Sequence, residues 1–161
     1  MNSDIENPIV LDATAGPRGI WFNKNHPSAV FIDVRKEVRP TVVADDKALP
    51  FRSGVFNCVV FDPPHDSHNP SSKSLMGKRY GKFTAQQIRA LISLGSREFY
   101  RVLRIGGFLL FKWNDRQFKL KEVLVLLDPR LDPLFGQRTA SRMKHRSDTY
   151  WICLRKRKNA S

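Results

Sequence analysis

Asp62-Pro63-Pro64-His65 places a carboxylate, two prolines and an imidazole directly after the apolar run Val59-Val60-Phe61. The prolines hold the backbone extended and remove two N–H donors, which leaves the Asp62 carboxylate and the Pro63 carbonyl as neighbouring acceptors. Two fixed acceptors suit a ligand amine: they hold its hydrogens and turn its lone pair towards a reaction partner. The adjacent imidazole can stack on a ring, bond to it or accept a proton. A second set of residues lies upstream, where Ile9-Val10-Leu11-Asp12-Ala13-Thr14-Ala15-Gly16 reads as an apolar strand, an acid and a small-residue turn. Small residues let a backbone approach a ligand closely. The next strand ends at Asp33, roughly twenty residues on, where nucleotide-binding α/β folds place a ribose-holding carboxylate.

Short apolar runs alternating with helical or loop-like stretches position these groups, a pattern of an α/β sheet wrapped by helices. Strands are expected at Ile9 to Leu11, Val30 to Asp33, Thr41 to Ala44, Val59 to Phe61, Phe108 to Trp113 and Tyr150 to Leu154. Several are apolar on both faces, as parallel strands are. A helix is expected from Ala85 to Leu103, opened by a Thr84/Gln87 capping box, carrying Ile88, Leu91, Ile92, Phe99, Val102 and Leu103 on one face, and stopped by Gly106 and Gly107. A second is expected from Gln117 to Leu127, ended by Asp128-Pro129. Between them and the Asp62 motif runs a loop, 65–83, rich in Ser, Lys and Gly, of a length that compact domains keep for function. Its Lys73, Lys78, Arg79, Tyr80 and Lys82 mix cations with an aromatic ring, which suits phosphates and an extruded base or simply a solvated loop. Lys112 and Asn114, at the end of the Phe108 strand, border the same sheet edge. Arg138, Arg142, Lys144, His145 and Arg146 make a candidate hairpin with a basic turn, and 155–161 reads as a basic tail.

The 161 residues fit one domain. Lys and Arg total 28 against 15 Asp and Glu, a formal charge of +13. That imbalance favours a polyanion, nucleic acid first, although anionic lipid or a merely soluble basic surface would also accommodate it. No apolar stretch is long enough to cross a bilayer, and Met1 to Pro8 lacks a signal-peptide pattern, so an intracellular protein of the cytoplasm or nucleus is expected. Cys58 and Cys153 sit in apolar runs as free thiols, and the histidines lack metal-ligand spacing.

Ala44-Asp45-Asp46-Lys47-Ala48-Leu49-Pro50-Phe51 completes a series that resembles the class I S-adenosylmethionine-dependent methyltransferases, motif by motif from Ile9 to about Trp113. The Asp62-Pro63-Pro64-His65 segment resembles the Asp/Asn-Pro-Pro-aromatic motif of the amino-methyltransferases in that class. The resemblance implies a doubly wound, mainly parallel Rossmann-like sheet with one antiparallel strand near its edge, and S-adenosyl-L-methionine as cofactor. By position it implies Asp12, Thr14 and Gly16 at the cofactor turn with Asp12 near the amino-acid end, Asp33 on the ribose, and Asp45 or Asp46 on the adenine amino group. It implies Asp62, Pro63, Pro64 and His65 at the methyl acceptor, an exocyclic amine such as adenine N6 or cytosine N4 of DNA or RNA. Lys73, Lys78, Arg79, Tyr80, Lys112, Asn114 and Arg142 would then contact substrate, with a partner subunit or homodimer as a further source of target recognition. Two departures stand out. Arg18 replaces the usual second glycine and, with Trp21 to Pro27, resembles a segment of small phage-type methyltransferases; His65 replaces the usual aromatic ring. They keep open a non-catalytic nucleic-acid-binding scaffold, and a methyltransferase acting on a protein amide or small molecule.

Overall fold

A computed structural model of the protein describes residues 10–67, 83–140 and 147–158. Among these residues seven strands form one sheet: β1 (Val10–Asp12), β2 (Ala29–Asp33), β3 (Val42–Val43), β4 (Phe56–Phe61), β5 (Leu103–Asn114), β6 (Leu131–Thr139) and β7 (Thr149–Lys156). Their spatial order is β3-β2-β1-β4-β5-β7-β6, and every pairing is parallel except those of β7 with β5 and β6. The winding reverses between β1 and β4. A crevice therefore opens beyond the carboxyl ends of those two strands, where doubly wound folds bind ligands.

Helix α1 (Ala85–Val102) starts as its sequence dictates, with Thr84 Oγ1 accepting from Gln87 N at 3.2 Å and Gln87 Oε1 accepting from Thr84 N at 2.8 Å. Its buried face, Ile88, Leu91, Ile92 and Phe99, joins Leu11, Val59, Leu109 and Phe111 of the sheet in one core. The Phe61 ring meets Phe99 edge-on at 4.7 Å and stacks on Phe111 at 5.7 Å. This core fixes the end of β4, and with it the position of Asp62.

Several boundaries differ from expectation. The helix stops at Val102, because Leu103 is already extended and begins β5, so Gly106 and Gly107 lie inside a strand and stop nothing. Gly106 takes the left-handed conformation at φ +78, and Gly107 permits close approach. A Cβ on Gly107 would lie 2.9 Å from the carbonyl oxygens of Arg104 and Asn57, next to the register shift where β5 meets β4. Helix α2 (Leu120–Leu124) is shorter than the expected Gln117 to Leu127: Gln117 bonds through its side chain to Ser67, and the turns beyond Val123 close with i to i−3 bonds. Strand β6 was expected only as the first arm of the hairpin around Arg138 to Arg146, without a range, and it pairs antiparallel with β7. It carries Pro133 and Gly136 and is exposed over most of its length, so it shows no apolar alternation. Arg155 and Lys156 belong to β7 and not to a tail, with Lys156 Nζ donating to Leu103 O at 2.7 Å.

The connection from β1 to β2 contains turns and no helix. Arg18 substitutes for one. Its backbone takes φ +57, and its guanidinium donates to Lys24 O, to Asn25 Oδ1 at 3.0 Å and to Arg39 O at 2.8 Å while lying 4.1 Å over the Phe31 ring. A single planar cation with several donors thus ties the connection to the segment after β2.

Candidate cofactor and methyl-acceptor site

The crevice is a cavity of about 650 Å³. It is lined by Asp12, Thr14, Gly16, Asp33, Asp45, Asp46, Asp62, Pro63, Pro64, His65 and Lys112, so the two halves of the site recognised in sequence share one space. Asn114 is not part of the lining. It donates to Thr149 Oγ1 at 3.0 Å and accepts from Arg116 N, securing the end of the β5–β7 pair. Lys73, Lys78, Arg79, Tyr80, Lys82, Arg142, Lys144, His145 and Arg146 lie outside the described residues. Arg138 is on β6 and pairs with Asp148 at 2.7 Å.

Asp12 closes β1 almost fully buried, and it accepts from Thr14 N at 3.1 Å and from Trp21 Nε1 at 2.6 Å. Burial pushes its pKa up to about 6 against those bonds, and the nearby Asp62 charge pushes the same way. A cationic ligand group at this carboxylate would relieve that cost. Thr14 links the halves: its Oγ1 accepts from Asp62 N at 2.8 Å, and Ala13 N donates to Val60 O at 2.9 Å.

Gly16, at φ +47, takes the left-handed turn and donates its N–H to Asp33 Oδ2 at 3.1 Å. Arg35 contributes three more bonds to the same carboxylate, from its N, Nε and Nη2, each at 2.9 Å. Burial would raise Asp33, yet the Arg35 bonds and charge override it and hold its pKa below the usual carboxylate range. Asp45 is likewise held down, its partial burial outweighed by bonds from Lys47. Asp46 behaves in the opposite way. It is 6% exposed, and its Oδ2 has no hydrogen-bond partner. Burial, together with donation to Asp45, pushes its pKa up to about 7.

At the chemical end, Lys112 Nζ donates to Asp62 Oδ2 at 2.7 Å. The other carboxylate oxygen takes no bond from the described residues. His65 stands edge-on to Trp113 at 5.8 Å with Nδ1 buried and unbonded. Burial lowers the pKa of the imidazole against the pull of Asp62, and Lys112 lowers it further. The chain leaving the site is anchored at Ser67, whose N donates to Gln117 Oε1 at 2.6 Å.

Lining residues not foreseen from sequence include Ile20, Arg35, Phe83 and Leu91, and Trp21 was not foreseen as the donor to Asp12. Arg35 had a local signal, since a cation two residues after a carboxylate can fold back onto it.

Among solved structures, a SAM-dependent methyltransferase from Methanosarcina mazei superposes with a TM-score of 0.63 at 13% identity, covering 98% of each chain. The N-methyltransferase NodS from Bradyrhizobium japonicum, in complex with S-adenosyl-L-homocysteine, gives 0.58 at 13% identity over 94% of this chain and 78% of NodS. The fold is that of the S-adenosylmethionine-dependent methyltransferases. A third, 1,6-didemethyltoxoflavin-N1-methyltransferase from Burkholderia thailandensis, gives 0.61 at 15% identity over 94% of this chain and 72% of the enzyme. No protein-family model matches the chain, and no curated protein matches it either. Among the described residues the one antiparallel strand of the sheet is β7, as the resemblance implied. No helix among the described residues is long and apolar enough to cross a membrane.

Proposed function

We propose that the protein is an S-adenosylmethionine-dependent N-methyltransferase acting on an exocyclic amine, with a nucleic-acid base as the substrate. The observation that carries this reading is the shared cavity, in which the carboxylates that end β1 and β2 and those that follow β3 line one space with the Asp62-Pro63-Pro64-His65 corner after β4. A volume of about 650 Å³ suits a nucleoside-bearing cofactor. The residues fit it. Asp33 would hold the ribose hydroxyls, which requires Arg35 to yield some of the lone pairs it now fills. The ionised Asp45 and the unbonded buried oxygen of Asp46 suit an adenine amino group, and Asp12 suits a ligand ammonium.

When bound, the cofactor supplies an electrophilic sulfonium methyl group. Asp62 and the Pro63 carbonyl hold the two hydrogens of the target amine, which is a poor nucleophile while its lone pair is conjugated to a ring. This orients the lone pair and stabilises the positive charge appearing on nitrogen. Lys112 fixes the Asp62 carboxylate from the other side. Burial lowers the His65 pKa and so favours the neutral imidazole, whose unbonded nitrogen can accept the proton released after transfer. The nucleic-acid part of the reading rests on the charge of +13.

The deciding experiment is mass spectrometry of nucleosides from DNA and RNA incubated with the protein and methyl-labelled cofactor. Label in an N-methylated base supports the proposal, and a label that stays on protein or small amines overturns the substrate class. Calorimetry with S-adenosylhomocysteine is expected to show one site. Asp33→Ala is expected to weaken it by about 1.5–3 kcal/mol, the range for hydrogen bonds to a charged group. A proton-accepting His65 predicts a rate that rises with pH through an ionisation below the ordinary histidine value, and His65→Phe abolishes that inflection. If His65→Phe keeps both rate and profile, the ring only stacks.

A further inference from the structure

Phe22 is fully exposed, yet it does not belong to a loose loop. Trp21 before it is anchored on Asp12 and meets Phe31 edge-on at 5.0 Å. Asn23 after it accepts from Asn25 N at 3.0 Å. A large apolar ring is therefore held out in water by a fixed backbone, at full hydration cost. The same connection supplies two lining residues of the cavity, Gly19 and Ile20, so the ring stands on the chain that forms the cavity rim.

The charges around it are basic. Between Pro17 and Pro40 there are five cations, Arg18, Lys24, Arg35, Lys36 and Arg39, against Asp33 and Glu37, and Asp33 is already held by Arg35. The Arg18 guanidinium bonds to the backbone carbonyl oxygens of both Lys24 and Arg39, which ties together the chain at these two exposed cations, and Lys24 lies two residues from Phe22. An aromatic ring flanked by cations has two complementary surfaces. Its face stacks on a flat heterocycle, and the cations meet phosphates, a combination that fits an unpaired nucleotide. A lipid surface would instead call for several apolar side chains on one amphipathic helix, and this connection has no helix.

We propose that Phe22, with Lys24 and Arg39, is a stacking platform for an unpaired base of single-stranded nucleic acid and its phosphates, outside the methyl-transfer cavity. It rests on the nucleic-acid reading given above.

The test is fluorescence anisotropy of labelled single-stranded oligo-dT and oligo-U of about 20 nucleotides, longer than one such groove covers, over a range of salt. Phe22→Ala is expected to weaken binding about 10-fold or more without changing the salt slope, and Phe22→Trp to retain binding. Lys24→Ala is expected to reduce the slope of log K against log salt by about 0.7. Wild-type affinity in Phe22→Ala overturns the platform but leaves the nucleic-acid reading intact. No oligonucleotide binding by the wild-type protein overturns both. Loss of binding to phosphatidylcholine–phosphatidylserine vesicles in Phe22→Ala, with oligonucleotide binding unchanged, assigns the ring to a membrane surface and also overturns the platform.

Discussion

Asp62→Ala is expected to lower the rate of methyl transfer by about 10²–10³, the usual cost of one group aimed at charge that appears only in the transition state. Affinity for S-adenosylhomocysteine should change little, since Asp62 touches the cofactor turn through its backbone N–H to Thr14, which alanine retains. The loss has two parts. One is the missing acceptor. The other is Lys112, whose ammonium loses its counter-charge 2.7 Å away and then faces a nitrogen that is becoming positive. Asp62→Ala combined with Lys112→Met should therefore be less impaired than the sum of the single changes predicts. Single-turnover rates of the four proteins measure this coupling, and an Asp62→Ala protein that methylates at the wild-type rate removes the proposed site.

Asp46→Asn is expected to stabilise the protein above neutral pH. The Asp46 pKa is about 7 in the folded chain against 3.8 for an ordinary aspartate, so the native state holds this proton more tightly than the unfolded one. A raised pKa of this kind gives stability that is complete below pH 3.8 and is lost as pH climbs through 7, in total about 4 kcal/mol at 1.36 kcal/mol per pH unit. The asparagine amide keeps the donor that the protonated acid offers to Asp45 and has no proton to lose. Urea unfolding at pH 5 and pH 8 should show wild type falling relative to the variant, and parallel behaviour at both would refute the assignment. Asp12, raised to about 6, acts in the same sense over a lower window, whereas Asp33, Asp45, Glu98 and Asp128 have lowered values and act in the opposite sense as pH falls.

Asp12, Gly16, Asp33 and Asp62 were legible in the sequence because each lies at or just beyond the end of an apolar strand, and strand ends are local patterns. The capping box at Thr84 was legible for the same reason. Longer-range features were not. The Lys112 bond to Asp62 joins residues 50 apart, and its only sequence sign was that both close strands of one sheet. Arg18 read as a departure from a glycine pattern, since its partners Lys24, Asn25 and Arg39 are set by the path of the chain. The range of strand β6 was hidden because an exposed edge needs no alternation, and Gly107 was misread because the same residue type ends helices and admits close strands. Asp45 and Asp46 were indistinguishable as neighbours, and burial separates them: one is an ionised acid beside Lys47, the other a protonatable acid with an unbonded oxygen.

The helix-free connection from β1 to β2 also has a consequence for the dynamics of the molecule. Its two ends are tied to the sheet by Ala15 N to Ile32 O and Val10 N to Ser28 O, and between them its backbone bonds are isolated turns, Arg18 N to Ala15 O, Trp21 N to Arg18 O and His26 N to Asn23 O, with no ladder to make them cooperative. Segments of this kind open locally at a small fraction of the global unfolding free energy, and their amides exchange with solvent first. Side-chain anchors from Arg18 and Trp21 set the height of that opening. Such openings are brief departures from the anchored conformation, so the sheet and α1 stay intact while the amides between Gly16 and Ile20 are expected to exchange ahead of those in the core.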